Sequence, residues 1–257
     1  MPVELAFQAI GKGPPLIILH GLFGSKRNWS AIAKALSGHY HVFCLDLRNH
    51  GDSPWADGMD YATMAGDVQA FIKAHALQGA SVIGHSMGGK TAMALSLLHG
   101  ELIGSLVVVD IAPVVHTGSD VRGYLDILVE LPLAAFASRA EVEGHLSEAI
   151  PETSIRNFLL QNLVRTEKRL HWRVNLAAIA DAMDSITGFI EPVHGQNYKG
   201  PTLFVAGGNS SYVQPHDHAV VHALFPKAQI KIIPGAGHWL HAEQPGPFLD
   251  LLKDFLD

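Results

Sequence analysis

A single cysteine, Cys44, stands among 257 residues, so no internal disulfide can form. A chain built without disulfides fits a reducing compartment, and a cytoplasmic location is expected. Long apolar runs are also missing. The longest, "LIGSLVVVDIAPVV" (102–115), carries Asp110 in its middle and is too short to span a membrane. The start, "MPVELAFQAIGKG", has no basic stretch ahead of an apolar one, so no signal peptide is expected. Positive charge is scarce: 18 Lys and Arg face 24 Asp and Glu, for a formal charge of −6. That argues against nucleic acid as a partner, because phosphate binding needs a basic face. There is no HExxH, and the "HDH" at 216–218 with His222 one turn on reads equally well as a solvated helix face. No metal and no cofactor are expected.

What is present is a globular composition, 48% apolar and 16% charged, in a length that suits one large α/β domain. Short apolar runs recur and end in Gly, Asp or His: "PPLIILHG" (14–21), "HVFCLD" (41–46), "ASVIGHS" (80–86), "SLVVVD" (105–110), "PTLFVAGG" (201–208) and "AQIKIIPGAGH" (228–238). Runs without alternation suit strands buried on both faces of a parallel sheet. Helical patterns lie between several of them: "NWSAIAKAL", "DYATMAGDVQAFIKAHAL" with Asp60 as its cap, "MGGKTAMALSLLHG" and the closing "QPGPFLDLLKDFLD". Strands alternating with helices predict a doubly wound, mostly parallel sheet. Residues 114–198 break that rhythm, with helical stretches such as "VRGYLDILVEL" and "SIRNFLLQNLV" and no convincing strand. They are expected to form a helical cap over the carboxyl edge of a core made of residues 1–113 and 199–257.

Gly84-His85-Ser86-Met87-Gly88 is a G-x-S-x-G placed after a strand and before a helix, the setting in which such a serine is a nucleophile. The competing reading is an ordinary Gly/Ser turn. A serine hydroxyl needs a neighbouring base. The best-placed histidine is His238 in "PGAGHWLHAEQP", just past the last strand. His241 reads as a satisfied structural histidine, and His20, His50 and His85 as organisers of loops. "LHGLFGS" (19–25) makes a tight turn after a strand. The N–H groups of Leu22 and Met87 are therefore expected to receive an oxyanion.

Together these residues resemble the α/β-hydrolase superfamily along the whole chain. More narrowly, "HGLFGS", "DLRNHGDSP", "GHSMGGKTAMAL", "DIAPV", "GGNSSYV" and "GAGHW" look like the YbfF-type bacterial esterases and their abhydrolase-domain relatives. The resemblance implies cofactor-free hydrolysis of small-molecule carboxylic esters or acyl thioesters, and leaves the acyl group open. It also raises a difficulty. In the superfamily the acid that orients the histidine usually follows the strand matching "PTLFVAGG", where this chain has Asn209, Ser210 and Ser211. The acid's task is to accept a hydrogen bond from the far ring nitrogen, and nothing ties that task to one loop. Asp110 ends the strand "SLVVVD", and adjacent strands lie only about 4.8 Å apart. It is expected to serve as the acid, with Ser210 as an auxiliary hydroxyl. Asp217 is the rival, and a carboxylate satisfied by strand-end N–H groups is the bland alternative.

Phe23, Trp239, Tyr124 and Phe136 are expected to line a substrate pocket, although aromatics near helices are more often core. Arg165, Lys168, Arg169 and Arg173 crowd nine residues of the cap; they read either as a receptor for coenzyme A phosphates or as a solvated face. Two other functions stay open on the same fold: C–C bond hydrolysis or lyase chemistry, and a non-enzymatic ligand-binding module. The oligomeric state is not legible.

Overall fold

The structure is a computed structural model that describes residues 1–116, 120–167, 169–190 and 196–256. In chain order its strands are β1 (Phe7–Ile10), β2 (Pro15–Leu19), β3 (His41–Leu45), β4 (Ala80–His85), β5 (Ile103–Val109), β6 (Leu163–Thr166), β7 (Arg169–Trp172), β8 (Thr202–Gly207) and β9 (Ala228–Ile233). Seven of them form one sheet in the order β1-β3-β2-β4-β5-β8-β9. Every pairing in it is parallel except β1 with β3. This is the doubly wound, mostly parallel sheet that the apolar runs predicted.

The runs lack alternation because both faces of the sheet are covered. On β2, Ile17 and Leu19 enter one core while Leu16 and Ile18 enter the other. The first core is closed by α2 (Tyr61–Ala74) and α3 (Met87–His99); α1 (Ser30–Leu36), together with the C-terminal helix, closes the second. Each fully buried Leu or Ile contributes on the order of 1.5–3 kcal/mol, so a strand buried on both faces is held from both sides. The α2 start follows its predicted cap, the Thr63 N–H donating to Asp60 Oδ1 at 2.7 Å. Arg48 and Asp67, both buried, form a two-point ion pair at 2.6 and 2.7 Å that ties the loop after β3 to α2.

Between β5 and β8 the chain forms α4 (Val121–Glu130), α5 (Arg139–Leu146), α6 (Thr153–Leu160), α7 (Leu176–Asp181) and α8 (Met183–Thr187). After β8 come α9 (His218–Leu224), α10 (Leu240–Glu243) and α11 (Pro245–Leu256). The expectation of no strand in 114–198 is corrected here. β6 and β7 pair as an antiparallel hairpin, Leu163 opposite Trp172 and Thr166 opposite Arg169. α6 stops at Leu160, short of the helical spacing that continues to Val164 in the sequence. The segment is tied to the loops beneath it. Asn162 Nδ2 donates to the Phe23 carbonyl at 2.7 Å, the Asn175 N–H to the Asn49 carbonyl at 2.9 Å, and the Tyr61 hydroxyl to the Ile186 carbonyl at 2.5 Å. Among the described residues no helix is long and apolar enough to cross a membrane.

Candidate active site

The carboxyl ends of β4, β5, β8 and β9 are stitched together by backbone bonds that climb across the sheet edge. The Ser86 N–H donates to the Val109 carbonyl at 3.1 Å and the Asp110 N–H to the Val205 carbonyl at 2.8 Å. The N–H groups of Gly208 and Asn209 reach Ile233 and Ala236 at 2.9 and 2.8 Å. Ser86 and Asp110 each follow directly on a strand, and each holds a left-handed backbone, with φ of 51° and 50°. A non-glycine residue there costs on the order of 1–3 kcal/mol, so packing must enforce it. The glycines show how. A Cβ on Gly84 would lie 2.2 Å from the Gly88 carbonyl oxygen, and one on Gly88 would lie 2.5 Å from the Leu19 carbonyl oxygen. Only bare backbone lets strand, turn and helix close up beneath the serine.

Asp110 is fully buried, and its carboxylate is saturated with donors. Oδ1 accepts the Gly207 N–H at 2.8 Å. Oδ2 accepts the Ser210 hydroxyl, and it accepts His238 Nδ1–H at 2.8 Å. A buried carboxylate is costly unless bonded in this way. The bond from His238 leaves Nε2 as the unprotonated nitrogen of the neutral ring. Asp217 is otherwise engaged: it accepts the Gln214 N–H at 2.8 Å at the start of the turn leading into α9. The carboxylate that reaches His238 therefore stands at the end of β5, one strand over from β8.

Ser86 and His238 line one cavity of about 210 Å³ with Leu22, Phe23, Tyr124 and Trp239. Phe136 does not join them; its ring packs 5.2 Å from that of His145, because the chain beyond α4 turns it toward α5. Among the described residues, neither the Leu22 nor the Met87 N–H donates to another protein group. Both residues border a space of about 40 Å³ beside Ser86. By contrast, the Phe23 N–H is taken, donating to His50 Nε2 at 3.2 Å.

Three buried histidines frame these loops as neutral rings. Burial, aided by His20, pushes the His50 pKa down to about 3. Its Nδ1–H donates to the Arg48 carbonyl at 2.9 Å, which leaves Nε2 free to accept. Burial also lowers the His20 pKa. That ring donates from Nδ1 to the Gly21 carbonyl and accepts the Leu47 N–H at Nε2. Burial and the neighbouring His238 hold His85 well below the ordinary histidine range. Its Nε2–H donates to the His238 carbonyl at 2.9 Å.

Some members of the site carry no signal in the sequence reading. The Tyr212 ring stacks on His238 at 4.1 Å, and Phe158 and Ile155 of α6 form a cavity wall. Tyr212 lies inside "GGNSSYV", whose value was visible only in the serines. Of the cap cations, Arg165 donates to the Ala137 carbonyl at 3.2 Å and Arg173 lies 3.8 Å from Asp52. Neither lines the cavity, and Lys168 lies outside the described residues.

A serine on a left-handed turn between strand and helix, beside a histidine that hydrogen-bonds a strand-end aspartate, defines an α/β hydrolase on this sheet. A family model described as alpha/beta hydrolase fold matches residues 14–245, and the chain belongs to that family. Within it, the chain is 43% identical over 251 residues to the "sn-1-specific diacylglycerol lipase ABHD11" of Mus musculus, covering 95% of this chain and 81% of that protein. It is 35% identical over 246 residues to "Esterase YbfF" of Escherichia coli (strain K12), covering 95% and 93%. The solved structure of a "Marine microorganism esterase" superposes with a TM-score of 0.95 at 39% identity, over 98% of this chain and 99% of that one. The YbfF-type resemblance carried by the motifs is thus shown, and the chain is an esterase-type member of the family.

Proposed function

We propose that this protein hydrolyses carboxylic esters of small molecules through an acyl-enzyme on Ser86. His238 Nε2 takes the proton from Ser86 Oγ as the oxygen attacks the ester carbonyl carbon. Asp110 holds the ring in the required tautomer and stabilises the imidazolium that forms. The Leu22 and Met87 N–H groups receive the negative charge on the former carbonyl oxygen. As the intermediate collapses, the carbonyl carbon–alkoxy bond breaks and the proton on Nε2 passes to the departing oxygen. Water then repeats the sequence on the acyl-enzyme and frees the acid and Ser86. Residues 114–198 act as the cap over this site, contributing Tyr124, Ile155 and Phe158 to its wall.

The observation that carries this reading is the 2.8 Å bond between His238 Nδ1 and buried Asp110, formed beside Ser86 in a shared cavity. A binding module has no use for that pair, so hydrolysis is favoured over a ligand-binding role. Thioesters would follow the same steps. Oxygen esters are the preferred substrates in our reading, because none of Arg165, Arg169 and Arg173 lines the cavity that holds Ser86. The buried Cys44 thiol, its pKa pushed up to about 12 by burial, takes no part. A chain with one such thiol suits the cytoplasm.

The test is labelling by a fluorophosphonate together with hydrolysis of p-nitrophenyl acetate. Wild type is labelled and active, whereas Ser86→Ala is unlabelled and inactive. An active Ser86→Ala would overturn the mechanism, and a wild type neither labelled nor active on any ester would overturn the function.

A further inference from the structure

Lys90 is buried, which is rare for a lysine. It lies on α3, one turn past Ser86, and is 2% exposed. Its backbone N–H donates to the Ser86 carbonyl at 3.0 Å, closing the first turn of the helix. Its ammonium donates to the carbonyls of Thr187 and Gly188 at 2.9 and 2.5 Å and stands 5.7 Å from the centre of the Tyr61 ring. Among the described residues no carboxylate pairs with it, and burial pulls its pKa down to about 7. A buried ammonium without a counter-charge is costly, and an apolar side chain would pack the same helix face at less cost.

What the ammonium grips is the end of α8. The last carbonyls of a helix have no partner within it. Here those of Ile186, Thr187 and Gly188 are answered from the core. The Tyr61 hydroxyl reaches Ile186 at 2.5 Å, the His116 N–H reaches Thr187 at 2.9 Å, and Lys90 bonds both Thr187 and Gly188. The same helix end closes a space beside Ser86. Ile186 and Thr187, with Ile111 and Lys90 itself, bound about 40 Å³ that Ser86, Leu22 and Met87 also border.

Which part of a substrate enters that space follows from the esterase mechanism proposed above, on which this step rests. The departing oxygen takes its proton from His238, and the carbonyl oxygen turns to the Leu22 and Met87 N–H groups. His238 borders the 210 Å³ cavity and not the small space. The space that meets Ser86 and both donors, but not His238, is left for the acyl chain. We propose that it is the acyl subsite, that its size confines the enzyme to short acyl groups, and that Lys90 is a positioning residue that fixes this size by holding the end of α8.

The experiment measures kcat/KM for p-nitrophenyl acetate and octanoate, with ethyl and octyl acetate as an alcohol series. With wild type, p-nitrophenyl acetate should exceed the octanoate by about tenfold or more. Lys90→Met offers no donor and should bring that ratio near one, chiefly by lowering KM for the octanoate, while the ethyl-to-octyl ratio stays as in wild type. Amide hydrogen exchange at Thr187 and Gly188 should quicken in the same variant. Ile186→Ala widens the space without touching the lysine and should shift the acyl ratio the same way. It keeps the subsite testable if Lys90→Met fails to fold, and Lys90→Gln, a shorter and uncharged donor, then tests the lysine. Wild type that is labelled at Ser86 and active but shows no short-chain preference overturns the subsite alone. A preference or an exchange rate unchanged in folded Lys90→Met overturns the role of Lys90. A shift in the alcohol series overturns the acyl assignment. A chain neither labelled nor hydrolytic overturns the mechanism beneath the proposal, and the subsite with it.

Discussion

The ends of β5 and β8 are neighbours in the sheet with opposite equipment. β5 ends in a buried carboxylate with a left-handed backbone and no donors of its own to spare. β8 ends in donors: the Gly207 N–H and the Ser210 hydroxyl both point to Asp110. Gly207 has a second duty, since a Cβ there would lie 2.3 Å from the Gly237 carbonyl oxygen and push away the loop that carries His238. The comparison teaches that acid and donors form one unit spread over two strand ends. What the chemistry requires is a carboxylate oxygen within reach of His238 Nδ1. Either strand can present it, provided the other supplies the hydrogen bonds.

The hardest blow to that unit is Asp110→Asn. An amide can offer N–H where the histidine needs an acceptor, and the corresponding change in serine proteases costs about 10⁴ in turnover. We expect a loss of that order in p-nitrophenyl acetate hydrolysis with an unchanged circular dichroism spectrum; a near-normal rate would separate Asp110 from the chemistry. The second variant moves the acid across. Adding Ser210→Asp to Asp110→Asn places the carboxylate on the β8 side and should recover about tenfold or more of the loss. No recovery would mean that the left-handed turn at Asp110, and not merely a nearby carboxylate, is required. The mildest is Ser210→Ala. It removes one hydrogen bond to a charged group, worth about 1.5 kcal/mol at the low end, so kcat should fall by about tenfold. A loss as large as that of Asp110→Asn would make Ser210 an equal partner in the pair.

The sheet was legible because β2, β3, β4, β5 and β8 are buried on both faces and therefore largely apolar, and because β9, although half exposed at the other edge, keeps the apolar run "AQIKII". β1 was not: all four of its residues are exposed, and it adds only an antiparallel edge to β3. The β6–β7 hairpin escaped for a related reason. "LVRT" and "RLHW" are half-exposed and basic, so the apolar signal of a strand is diluted by residues that face water. Ser86 could be read from its G-x-S-x-G between strand and helix, His238 from its place just past the last strand, and Asp110 because a carboxylate ending an apolar run is costly without a purpose. Tyr212 and Phe158 could not, since an aromatic against a histidine looks the same in a sequence as one in a core. His241 was misread as satisfied for a subtler reason: its Nδ1 is buried with no hydrogen-bond partner, and pairing is a property of the surroundings that no local pattern records.

His85 sits between the glycine of the turn and the nucleophile, yet its ring reaches out of its own loop to grip the His238 carbonyl. Gly21 lies so close to that ring that a Cβ there would approach Nδ1 to 2.8 Å. One imidazole thus serves as a gauge block clamped between the loops of Gly21 and His238, the latter 153 positions beyond His85 in the chain. In the proposed mechanism that ring links the loop of the attacking Ser86 to the loop of the accepting His238 through one hydrogen bond. Under that proposal, alignment is a machining tolerance held by the residue next to the serine, which has no part in the proton transfers themselves.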